Sequence, residues 1–171
     1  MLPTPPLPAP FEALFAELEE IDSSGASRTF HQCFGCGPRH DIGLRVRTFK
    51  SDGGVLSPIV IPKRFEGPPN GAHGGIVAAY LDEVLAGAAV SHTGRIHVTG
   101  ELSIRYVKLT PIEIPLLGRG RVVKQAEKYV DLEGTLEDLE TGEVVARATG
   151  RFFALPGAHE SPRTTPDAGP A

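Results

Sequence analysis

Residues 70–90 read NGAHGGIVAAYLDEVLAGAAV, and from Ile76 onward almost every position is apolar. The spacing predicts a helix from Gly75 to about Val90. It is apolar nearly all round, so it is expected to be buried on most sides. Asp82 and Glu83 interrupt the apolar run. The run is also shorter than the ~20 residues that a membrane span needs.

Strand patterns lie on both sides of this helix. Upstream, Gly43 to Lys50 (GLRVRTFK) alternates apolar and polar, the mark of a half-buried strand. Asp52-Gly53-Gly54 is a turn, and Val55 to Ile61 resumes as the second strand of a hairpin. Pro58 there points to an edge position or a bulge. A Gly/Pro-rich loop, Arg64 to Gly75, leads into the helix. Downstream come four strand-like segments, Thr99 to Val107, Gly118 to Gln125, Tyr129 to Asp138 and Glu143 to Leu155. Leu102, Ile104 and Tyr106 share one face of the first. Glu140 to Glu143 forms the turn between the last two. No internal repeat is found. A single apolar helix amid antiparallel strands is buried most simply by a sheet that curls around it. The expected class is α+β with the hotdog architecture, and a plain α+β sandwich is the alternative.

The ends differ from this unit. Five of the 16 prolines fall in residues 1–10 and four in residues 156–171. The expected organisation is a Pro-rich tail with a short amphipathic helix (1–29), one domain (30–155) and a disordered tail (156–171). The N-terminal helix spans Pro10 to Ile21, with Phe11, Leu14, Phe15 and Leu18 as its apolar face.

The net charge is −4, with 17 Lys+Arg against 21 Asp+Glu. No basic excess exists for a phosphate backbone, so nucleic acid is not an expected partner. Two cysteines make no disulfide scaffold. No secretory signal is seen, so a cytoplasmic protein without membrane attachment is expected.

Candidate chemistry gathers at the helix. Gly74 and Gly75 open it, where backbone N–H groups lack intrahelical partners and the macrodipole is positive. Without side chains there, a ligand oxygen gains close approach, as an oxyanion hole requires. Asp82 is a carboxylate in an apolar helix, where desolvation raises its pKa toward general-base use. Eight residues separate Gly74 from Asp82. That is about 12 Å along a helix, so one helix cannot bring both to one carbonyl. If they cooperate, Asp82 comes from an antiparallel second copy, which implies a twofold dimer with two composite sites.

The loop FEGPPNGAHGG, His73-Gly74-Gly75, the Asp nine residues after the His, Thr99, and the downstream RYVKLTPI and GRVVKQ segments resemble the PaaI-like branch of the hotdog acyl-CoA thioesterases. The resemblance covers about residues 30–155. It implies hydrolysis of an acyl-CoA to free acid and CoA in a homodimer or homotetramer, with no metal or redox cofactor. Gly74 N–H would polarise the thioester carbonyl and Asp82, from the partner subunit, would act as base or nucleophile. Thr99 would help place the water or the Asp, and His73 would orient the loop or the thioester. Asn70 and Gly75 are further substrate-binding candidates. Arg119, Arg121, Lys124 and Lys128 are candidates for the CoA phosphates. Glu83 is read as a structural or rim carboxylate. The alternative function is a non-catalytic acyl-CoA-binding protein, which would use the same cleft without turnover. A hotdog dehydratase ranks last, because only one acid/base pair is seen.

His31-Gln-Cys33-Phe-Gly-Cys36-Gly-Pro-Arg-His40 places four soft or borderline ligands in ten residues. His31-x-Cys33 is tight for tetrahedral closure, and a cytosolic Cys-x-x-Cys is also a redox pattern. The favoured reading is a structural turn, with no metal bound.

Overall fold

The computed structural model describes residues 6–21 and 31–156. The expected C-terminal disorder falls almost wholly outside them. In chain order the elements are α1 (Ala9–Phe15), β1 (Glu20–Ile21), β2 (Thr48–Ser51), β3 (Gly54–Val60), a 3-10 turn (Lys63–Phe65), α2 (Gly74–Thr93), β4 (His97–Tyr106), β5 (Pro115–Gln125), β6 (Tyr129–Asp138) and β7 (Val144–Ala154). The strands form one sheet in the order β1-β2-β3-β5-β6-β7-β4. Every neighbouring pair is antiparallel. The sheet wraps α2, which is the hotdog arrangement.

The helix is longer than its apolar run, because His73 caps its start and Gly94 its end. Gly94 takes a left-handed φ of 68° and donates its N–H to Val90. Only glycine adopts that backbone without cost. At 20 residues α2 is long and apolar enough to cross a bilayer by length and composition alone. Here Val77, Leu81, Val84, Leu85 and Ala89 are instead sealed against the sheet. Glycines make that contact close. A Cβ at Gly120 would lie 2.9 Å from the Val84 carbonyl oxygen, and one at Gly134 would lie 2.9 Å from Leu85 Cδ2. Helix and sheet therefore meet almost backbone to backbone.

Burying these side chains supplies most of the driving force, at about 1.5–3 kcal/mol for each large aliphatic residue. A second, smaller cluster lies apart from the main core. Phe11 and Phe15 of α1 pack there with Phe49, Leu56 and Leu117. The N-terminal helix thus ends at Phe15, not Ile21, and the chain turns into edge strand β1. Leu14 is exposed rather than buried. Successive residues of a helix lie about 100° apart, so the docking of Phe15 carries Leu14 off the contact.

Two other expectations change. Residues 43–47 are not a strand, although Leu44 and Val46 are buried; pairing begins only at Thr48. Pro58 lies in β3 between two neighbours, but the β2 pairing ends at Leu56. On that side Pro58 stands at a local edge, where its missing N–H is tolerated.

Candidate active site

The loop before α2 fixes the helix start. Asn70 takes a left-handed φ of 63°. Its N–H donates to Glu66 Oε1 at 2.7 Å. Short bridges tie Glu66 to Ala72 and Gly71 to Pro111. Asn70 thereby shapes the loop through its backbone, and Glu66 is a loop anchor that the sequence reading missed. A Glu four residues before an Asn at a turn was the available signal.

His73 is the N-cap, and its Nδ1 accepts the Gly75 N–H at 3.1 Å. A ring nitrogen here does the work usually done by a Ser or Asp oxygen. Gly75 N–H is therefore occupied. Among the described residues, Gly74 N–H has no protein acceptor. On the same residue, the Gly74 carbonyl accepts the Tyr106 hydroxyl at 2.8 Å. Tyr106 was expected to share one face with Leu102 and Ile104. Those two pack against the core, whereas Tyr106 is 51% exposed and leans over the helix start.

At the next site position along α2, the Thr99 hydroxyl donates to Asp82 Oδ1 at 2.7 Å. Thr99 opens onto the helix because β4 runs antiparallel beside it. Burial raises the Asp82 pKa, and the Thr99 bond pulls it partly back. The net effect is a carboxylate that is more basic than an exposed Asp. Asp82-Thr99 and Gly74-Tyr106 thus form two half-sites, both bridging α2 to β4.

Glu83 faces elsewhere. Its carboxyl lies under the 33–37 loop, within reach of the Cys33 thiol at 3.8 Å. Burial first, and then the Asp82 charge, push Glu83 up to about 7. Burial first, and then Glu83, hold the Cys36 thiol well above its usual range. Glu83 is a structural carboxylate in a buried setting, not a rim residue.

The four basic candidates separate into two pairs. Gly118 and Gly120 face α2, so the alternating Arg119 and Arg121 point to the opposite face of the sheet. They pair there with Glu137 and Glu133. Neither joins the Asp82 or Gly74 half-site in this protomer. Lys124 lies near the Tyr129 ring, and Lys128 is exposed in the β5–β6 turn. Cross-strand pairing links Thr99 to Phe152, Phe152 to Val130 and Val130 to Gln125. The two lysines therefore lie at the Thr99 end of the sheet.

Comparison with known proteins gives the family. A model of the thioesterase superfamily matches residues 70–145. No curated protein sequence matches the chain significantly. Among solved structures, a thioesterase superfamily protein is 29% identical with a TM-score of 0.64, over 72% of this chain and 60% of that one. The chain thus spans less than two thirds of that protein's length. A Bacillus halodurans protein solved with CoA is 33% identical with a TM-score of 0.53, over 58% of this chain and 70% of that one. The Escherichia coli PaaI protein of the phenylacetic acid degradation operon shares the fold at 16% identity, with a TM-score of 0.58, over 64% of this chain and 83% of that one. With its helix-wrapping antiparallel sheet and these matches, the chain belongs to the hotdog-fold thioesterase superfamily.

Proposed function

We propose that the protein hydrolyses acyl-CoA thioesters in a site built by two copies of the chain. The observation that carries this reading is the Thr99-held Asp82 carboxylate, on the same helix as an unpartnered Gly74 N–H. The binding of CoA by the Bacillus halodurans relative supports the ligand class.

In the cycle, the thioester carbonyl oxygen accepts the Gly74 N–H. Negative charge develops on that oxygen at the positive end of α2. Thr99 fixes Asp82 so that its free oxygen faces the carbonyl carbon. Asp82 takes a proton from water as the new C–O bond forms. The C–S bond then breaks, and the CoA thiolate recovers the proton. Direct attack by Asp82 would give an anhydride instead, which water then opens. Label in the enzyme carboxylate after a single turnover in oxygen-labelled water would establish direct attack with water opening the anhydride at the aspartyl carbon.

The two half-sites lie too far apart to meet within one helix, by the 12 Å argument. Strand β4 ends the sheet and its outer edge carries no partner among the described residues. It is ten residues long, and Val98 and Tyr106 are about half exposed. A long apolar edge of this kind invites pairing with another strand. Antiparallel pairing of two β4 strands about a twofold axis between Leu102 and Ser103 sets Thr99 of one copy opposite Tyr106 of the other. Asp82 of the first copy then meets Gly74 of the second. The CoA phosphates fall to Lys124 and Lys128, three strands from Thr99, or about 14 Å.

A panel of acyl-CoAs assayed for free thiol tests the reading. Thiol release that disappears in Asp82→Asn, with the dimer intact by light scattering, supports it. Acyl-CoA binding without thiol release across the panel would favour a pure binding protein.

A further inference from the structure

We propose that Cys33, Cys36 and Glu83 bind a zinc ion that fastens the 33–37 loop to α2 beside the half-site. This proposal does not depend on the thioesterase reading.

The three side chains come from distant parts of the chain, yet their ligand atoms all lie within 4.8 Å of one another. All three are half-buried. Two thiolates and a carboxylate form a donor set that suits Zn2+ in tetrahedral geometry. The sequence reading weighed His40 as a ligand and favoured a plain turn. In the fold, His40 instead packs edge-on against Phe34, and its Nδ1 accepts the Ile42 N–H. The carboxylate from α2 takes the place beside the cysteines.

The loop is shaped to receive that carboxylate. A Cβ at Gly35 would lie 2.0 Å from Glu83 Cδ, so only glycine leaves room for it. Gly37 N–H returns to the Cys33 carbonyl at 2.8 Å, closing the turn that holds both sulfurs on one side. Leu44 N–H to Phe34 and Val46 N–H to Gly35 lash the turn to the chain that follows.

A hydrogen-bonded apo cluster explains this arrangement poorly. The Cys33 thiol stands 3.8 Å from Glu83 Oε1, and thiols are weak donors to offer a half-buried carboxylate. A divalent cation at their centre would engage all three ligand atoms at once, in their deprotonated forms. His31 opens the same loop, and its Nδ1 is buried with no hydrogen-bond partner. His31 stands outside the group of three converging ligand atoms, so three protein ligands leave the fourth vertex to water.

The test uses the full chain, purified without chelator. Elemental analysis is expected to give about one zinc per chain. Co2+ added to the chelator-treated protein is expected to produce a thiolate-to-cobalt charge-transfer band. Cys33→Ser and Cys36→Ser should lose the metal, and Glu83→Gln should bind it more weakly. Chelation should lower Tm and expose two thiols to a disulfide reagent. A folded wild-type protein with no zinc and no cobalt-thiolate band overturns the proposal. That readout needs no variant to fold. Zinc retained undiminished in the Cys33→Ser and Cys36→Ser double variant also overturns it, because the metal would then sit elsewhere.

Discussion

Thr99 Oγ1 donates to Asp82 Oδ1 at 2.7 Å, so edge strand β4 holds the one carboxylate that α2 presents beside it. A hydroxyl that donates to a carboxylate oxygen stabilises the ionised form and fixes its rotamer. The other oxygen of Asp82 has no hydrogen-bond partner among the described residues.

Asp82→Asn is expected to lower kcat by about 10²–10⁴-fold, the usual contribution of a positioned base. Thr99→Ala should cost less, because it loosens Asp82 without removing it. Thiol-release kinetics on both variants check this. Equal kcat in wild type and Asp82→Asn removes Asp82 from the chemistry.

Tyr106→Phe deletes the bond to the Gly74 carbonyl and keeps the ring. The site is half exposed, so the stability cost should stay near the low end of about 0.5–1.5 kcal/mol. The helix start loses an anchor, and KM or kcat should worsen more than Tm falls. Thermal unfolding measured beside steady-state kinetics separates the two effects.

Gly134→Val sets a branched side chain where Leu85 Cδ2 and the Arg119 carbonyl already stand. Overpacking of this kind costs about 1–3 kcal/mol. The backbone carbonyl cannot rotate away, so the upper part of that range is expected in urea unfolding. Leu81→Ala should cost about 2–5 kcal/mol by the opposite route, leaving a cavity at a position with 0% exposure.

His97, near the start of β4, has a pKa lowered chiefly by burial. Its Nδ1 lies 2.9 Å from the Arg95 carbonyl. In the unfolded chain the ring takes up a proton at a higher pH than in the folded one. Stability from this group is therefore full above the unfolded value of about 6.5 and declines as pH falls through the folded value. His97→Gln should flatten the acid side of the stability profile measured by urea unfolding.

Much of this was legible one-dimensionally. Ile76 to Val90 had to be a buried helix, because nearly every face is apolar. The period-2 patterns after Thr99 had to be strands. His73-Gly74-Gly75 and Asp82 were visible as a spaced pair, and helix rise alone showed that they could not meet within one chain. Less was legible where one residue serves two neighbours. Tyr106 fits a buried alternation on paper, yet the strand ends beside the helix start and the ring turns outward to Gly74. Arg119 and Arg121 read as candidates for the CoA phosphates, but Glu137 and Glu133 stand next to them once β5 and β6 pair.

Sequence periodicity is a local property, set by side-chain spacing of about 3.6 residues in a helix and 2 in a strand. By itself it determined the element types, the central helix, the glycine opening and the position of Asp82. Which groups come together is decided by strand order and register, and these depend on packing between segments far apart in the chain. Only the fold could place Thr99 on Asp82, Tyr106 on Gly74, and Glu83 beneath two cysteines fifty and forty-seven residues before it. The physical reason is the burial of α2. Once the sheet closes over that helix, each polar group left at its margin takes whichever partner the neighbouring strand or loop presents.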